Sequence, residues 1–108
     1  MVEYASTTAA GSARFLSDVF GWTATTYGPQ YTDLAGGGIG IGFQEDPDEQ
    51  PAGPLLIVQV GDLDAARERI ERAGGMVTRE PFSFPGGSRF HFREPGGNEL
   101  AVWTPDAR

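Results

Sequence analysis

Residues 55–75 read LLIVQVGDLDAARERIERAGG. Leu55–Val60 is apolar apart from Gln59, the pattern of a buried strand. Asp62 stands where a helix N-cap belongs. Leu63, Ala66, Ile70 and Ala73 then recur at helical spacing, while Arg67, Glu68, Glu71 and Arg72 fill the opposite side as two i,i+4 pairs of opposite charge. Gly74-Gly75 stops the helix. Strands are predicted beyond it at Met76–Arg79, Ser88–Arg93 and Glu99–Thr104, the last two joined by the turn Glu94-Pro95-Gly96-Gly97-Asn98. The segment is therefore a βαβββ unit.

The same order of elements precedes it. Val2–Ala5 reads as a strand, and Ser6, Thr7 and Thr8 offer N-caps. Ala9, Ser12, Ala13, Leu16, Val19 and Phe20 form a helical stripe that ends at Gly21. Short strands are expected at Thr23–Tyr27, Tyr31–Leu34 and Ile39–Phe43. A shift of 54 residues lays Gly21 on Gly75, Leu16 on Ile70 and Thr8 on Asp62. Residues are not repeated, but the pattern is, and a repeated unit of this size points to pseudo-twofold architecture. The expected fold is α+β: two βαβββ modules in tandem, residues 1–43 and 55–105, joined by a linker at 44–54 within a single domain, 1–108. A helix covers one face of each small sheet; the other is left for a neighbour or a ligand.

Composition removes many chemistries. The chain has no Cys, so thiol nucleophiles, disulfides and thiolate metal sites are excluded. It has no Lys, which excludes a Schiff base and a phosphate-loop lysine, and a single His, which excludes multi-histidine sites. A net charge of −7 and a pI near 4.5 argue against nucleic acid. Residues 1–54 carry seven acids and only Arg14, an excess that suits a cationic ligand, although acidic surfaces mostly serve solubility. No stretch approaches the roughly 20 apolar residues of a membrane span. No basic-plus-apolar leader follows Met1, so a cytoplasmic location is expected. Leu, Ile, Val and Phe make up about 21% of the chain, close to the roughly 20% floor for folded chains. So thin a core would gain from a second subunit. The glycine run at 36–42, GGGIGIG, lacks GxGxxG spacing and a following helix, so it is not a phosphate loop.

FLSDVFGW at 15–22, GDLDAARERIERAGG at 61–75 and SRFHFREPGGNELAVW at 88–103 resemble the vicinal oxygen chelate superfamily of glyoxalases, bleomycin resistance proteins and extradiol dioxygenases. The resemblance implies paired βαβββ modules whose mixed sheets curl around a cleft, and a frequent homodimer. It also implies a divalent metal held by His, Gln or Glu at the start of each module's first strand and near the end of its last. Those positions fall at Met1, at Leu55 and, three residues after the turn asparagine, at Ala101; the last strand of the first module has no carboxylate or imidazole. These are not side chains that hold a divalent ion, apart from a weak thioether at Met1. No metal or other cofactor is expected.

Strand alternation then sorts the cleft. If Leu55 faces it, so do Ile57 and Gln59, with Leu56, Val58 and Val60 packed on helices. Met1 and Glu3 face it too, as do Glu99, Ala101 and Trp103. Phe90 and Phe92 belong with Leu100 and Val102 in the core, which puts Arg89, His91 and Arg93 on the cleft face. The candidate ligand-binding residues are Glu3, Ile57, Gln59, Arg89, His91, Glu99 and Trp103, and His91 is the catalytic candidate. Such a cleft suits a small organic molecule. The leading reading is a metal-free binding protein that holds its ligand in the cleft or at a dimer interface. The alternatives are a lyase, isomerase or dioxygenase with its metal displaced to Glu3, His91 and Glu99, a metal-free enzyme using His91 as acid–base, or a scaffolding or regulatory domain.

Overall fold

A computed structural model describes residues 1–106, leaving the last two residues of the expected domain outside the described part. The chain divides into two compact units, Met1–Leu55 and Leu56–Arg108. Each is a βαβββ module, as expected.

In the first unit β1 (Val2–Ala5), α1 (Ala9–Phe20), β2 (Thr23–Thr26), β3 (Tyr31–Ala35) and β4 (Ile41–Gln44) follow one another. The strand order is β2-β3-β4-β1, with β1 parallel to β4 and the other pairs antiparallel. α1 starts where its donors find acceptors: Thr8 Oγ1 accepts from Gly11 N at 3.2 Å and Glu45 Oε1 accepts from Ala9 N at 2.8 Å. It ends at Gly21 in the left-handed region, φ 75°. Ala9 and Ala13 pack on Leu34 and Phe43, joined by Leu16, Trp22 and Ile41.

Two expectations fail here. Val19 and Phe20 are more than half exposed instead of joining the core; Phe20 stacks on Trp22, with ring centroids 4.8 Å apart. The helix turns only its small residues fully inward, because Ala9 and Ala13 let it sit close to the sheet. Trp22 takes the space instead. Its ring lies over the glycine run, where a Cβ on Gly37 would stand 2.9 Å from it. The glycines are there for this close approach. The segment 44–54 is also more than a tether: Gln50 Nε2 donates to Ser6 O at 3.1 Å, so it is fastened to the start of the first unit.

The second unit repeats the plan with β5 (Leu55–Gln59), α2 (Leu63–Arg72), β6 (Met76–Phe84), β7 (Gly87–Arg93) and β8 (Glu99–Pro105). The order is β5-β8-β7-β6, with β5 parallel to β8. Asp62 caps α2 through Ala65 N at 3.2 Å. Both expected helix pairs form, Arg67–Glu71 at 3.7 Å and Arg72–Glu68 at 2.6 Å, and Arg67 also grips Glu80 of β6 with two hydrogen bonds. The EPGGN turn is a lock: the Glu94 carboxylate accepts from Gly96 N and from Asn98 Nδ2.

α2 lies over β6 and β8. Leu56 and Val58, expected under a helix, are 41% and 42% exposed. β6 is longer than expected. It continues through Pro81, and its pairing with β7 shifts register twice, between Val77 and Arg79 and between Arg79 and Phe82. Bulges of this kind absorb a proline that offers no N–H to the ladder. Among the described residues no helix is long and apolar enough to cross a membrane.

Candidate functional site

In the second unit, register fixes which side chains share a face. Ile57 pairs with Ala101, Ala101 with His91, and His91 with Arg79. In the next row Gln59 pairs with Trp103, Trp103 with Arg89, and Arg89 with Phe82. Directly opposed residues point to one side of a sheet. Phe90 pairs with Val102 and Phe92 with Leu100 on the other side; Phe90 is fully buried there. Arg89 and His91 therefore share one side of the sheet with Ile57, Gln59 and Trp103, opposite Phe90 and Phe92.

This face alternates flat apolar rings with flat cations. The Arg79 guanidinium lies 3.7 Å from the Phe82 ring centre, and Arg89 lies 5.3 Å from Phe82 and 6.0 Å from Phe84. Phe84 is 6.1 Å from Trp103, and Phe82 is 6.0 Å from the His91 ring. Arg79, Phe82 and Phe84 are not among the sequence candidates, because Pro81 hides the continuation of β6. Only their alternation past the proline could have disclosed them.

His91 sits at the centre of the face. Its side chain is 11% exposed, and Nδ1 lies 3.5 Å from Glu99 Oε2. The same carboxylate oxygen accepts from Thr78 Oγ1 at 2.8 Å. Glu99 thus turns toward His91, although its backbone partner across the hairpin is Arg93. His91 Nε2 is buried and has no hydrogen-bond partner among the described residues. Burial and the charge of Arg89 push the imidazole pKa below its usual value, Arg79 adds to the fall, and Glu99 opposes it. His91 is therefore neutral at pH 7. Between its folded and unfolded pKa values the folded state binds fewer protons, so stability falls as pH drops through about 6.5 and levels off below the folded pKa. The chain has one histidine. Its imidazole proton resonances should titrate with a midpoint under 6.5, and His91→Gln should flatten the stability slope in that window. A midpoint at or above 6.5 would contradict the buried, cation-flanked site.

In the first unit the face opposite α1 carries Met1, Glu3, Gly42, Asp33 and Tyr31. Register aligns Glu3 with Gly42 and Gly42 with Asp33. Glu3 is 1% exposed, and its Oε1 accepts from Tyr31 Oη at 3.1 Å. Burial raises the Asp33 carboxyl pKa. Tyr31 and Asp33 escaped the sequence reading, although alternation with buried Thr32 and Leu34 puts them on the face of Glu3.

A surface depression lies elsewhere. It is open and runs beside α1, bordered by Thr8, Gly11, Ser12, Phe15, Leu16 and Phe43. It holds no charged group and sits on the helix side of the first sheet, so it is not where the chemistry-bearing side chains gather.

Residues 2–102 match the model of the glyoxalase/bleomycin resistance protein/dioxygenase superfamily, and the chain belongs to that superfamily. Anthracycline biosynthesis protein DnrV of Streptomyces peucetius is 30% identical over 87% of this chain, which spans 42% of that relative's length. A superfamily member from Vibrio splendidus 12B01 superposes with a TM-score of 0.68 at 16% identity, covering 98% of this chain and 97% of its own. A structure described as NAD-dependent benzaldehyde dehydrogenase from Legionella pneumophila superposes at 0.79 with 15% identity, covering 97% of each chain. At such identities the superpositions show the fold alone.

The superfamily's divalent metal can be tested against these residues. Glu3 pairs with Gly42 in the first unit as Ile57 pairs with Ala101 in the second, so Gly42 is the counterpart of Ala101. The four ligand positions are then Met1, Gly42, Leu55 and Ala101. Leu55 and Ala101 are buried and apolar. Tyr31 Oη fills the space a Cβ on Gly42 would need and lies 3.7 Å from Met1 Sδ. These side chains do not fit a divalent ion. Among the described residues no three His, Asp or Glu side chains are grouped as a metal site needs.

Proposed function

We propose that this protein binds a planar small organic molecule without a metal, on the strand face that carries Trp103, Arg89 and His91. The observation that carries this reading is the stack of Arg79 and Arg89 against Phe82 and Phe84, with Trp103 beside it. Guanidinium planes and aromatic faces together recognise flat, electron-rich ligands. The name of the Streptomyces peucetius relative points the same way, since anthracyclines are fused-ring aromatics. A second reading, a metal-free catalyst, is favoured by one observation: neutral His91 oriented by Glu99. We also propose a homodimer, for which the exposed apolar side chains of Phe15 and Val19 on α1 supply the kind of surface a partner covers.

The test is a fluorescence titration of the Trp22→Phe chain, in which Trp103 is the remaining indole, with anthraquinone-2-carboxylate. Saturable quenching with a dissociation constant of about 1–100 μM is expected, weakened at least ten-fold by Arg89→Ala, because the guanidinium plane is lost. Absence of saturation would contradict the reading.

A further inference from the structure

Resting on that reading, we propose that His91 sets the ligand class. Its Nε2 accepts a hydrogen bond from a ring hydroxyl, so the preferred ligand is a hydroxyaromatic, and the Thr78–Glu99 pair fixes the tautomer that makes this so. The Glu99 carboxylate accepts a hydrogen bond from Thr78 and lies 3.5 Å from His91 Nδ1. A carboxylate has only acceptors to offer, so the imidazole proton belongs on Nδ1 and the lone pair on Nε2. That lone pair is buried with no partner among the described residues. A buried acceptor left unmet carries its full desolvation penalty, and a ligand O–H meets it. The guanidinium of Arg89, which shares this face, has only donors to offer and favours an oxygen that can accept. A neutral phenol serves both, its O–H donating to His91 and its oxygen lone pair accepting from Arg89. Because the imidazole is buried, the ligand displaces a neighbour to reach it. Phe82, on the bulged stretch of β6 with its ring centred 6.0 Å from the imidazole, is placed to move.

The experiment compares 2-hydroxyanthraquinone with 2-methoxyanthraquinone by calorimetry on the whole chain, His91→Phe and Glu99→Lys. The unmodified protein is expected to prefer the hydroxyl compound about ten-fold or more, since a site built around a hydrogen bond penalises its loss. His91→Phe should abolish the preference. An ammonium at position 99 is a donor only, moves the imidazole proton to Nε2, and should abolish or reverse the preference while the methoxy compound still binds. A merely structural role for Glu99 would weaken both compounds alike, and that result would overturn the proposal. So would equal affinity of the unmodified protein for both, or nitrogen NMR of the one imidazole showing the proton on Nε2. If neither compound binds, the planar-ligand reading itself falls. If both bind equally, that reading stands and only the role of His91 is lost. Should His91→Phe fail to fold, the Glu99→Lys comparison and the NMR tautomer decide the matter.

Discussion

Phe90→Ala is expected to destabilise the protein by about 3–5 kcal/mol, the usual cost of deleting a fully buried aromatic ring. Phe90 is among the largest completely buried side chains, and it lies beside Val102 on the side of the sheet opposite His91. A chain this small has a total stability of about 5–15 kcal/mol, so the change removes a large share of it. The loss should appear as a lower urea midpoint, with Phe82→Ala, at a half-buried ring, as the milder comparison. The effect would reach the proposed ligand face, because β7 carries Phe90 on one side and Arg89 and His91 on the other. A cost under about 1 kcal/mol would mean that the facing of β7 is wrong.

Gly42→Val should cost about 1–3 kcal/mol or more through overpacking. Gly42 is buried in β4 between Glu3 and Asp33, and any Cβ there meets the Tyr31 hydroxyl. The reason bears on function. In this register Gly42 is the counterpart of Ala101, a position where the resemblance implies a metal ligand, and here Tyr31 occupies the volume. Tyr31→Ala should recover part of the loss when combined with Gly42→Val. The two changes should be far from additive, as contacting residues are. Additive effects in urea titrations would show that the tyrosine does not fill that space.

The fold was legible because two signals agreed. Helical spacing with caps at Thr8 and Asp62 placed both helices, and the shift of 54 residues exposed the repeat. The face of β7 was legible too, since Phe90 and Phe92 alternate with Arg89 and His91. What failed was packing at a distance. Leu56 and Val58 look like core residues in sequence, yet both are exposed, because burial depends on which elements pack above a strand and not on the strand's own pattern. Val19 and Phe20 fit the helical stripe, yet two alanines set how close α1 lies and leave them outside. The aromatic half of the candidate site was hidden by Pro81, which reads as the end of a strand and is instead part of a bulged one. Alternation marked Glu3 as a candidate for the cleft face, but not its burial against Tyr31, a partner 28 residues away that no local pattern reveals.

We propose that this member of the superfamily binds its ligand without a metal. Native mass spectrometry tests it most directly, on protein purified without chelator and then equilibrated with manganese and zinc. The expected spectrum shows the metal-free mass, as a dimer if the proposed interface forms, with at most an organic adduct. One divalent ion per chain, retained after buffer exchange, would contradict the claim and redirect attention to Glu3, His91 and Glu99.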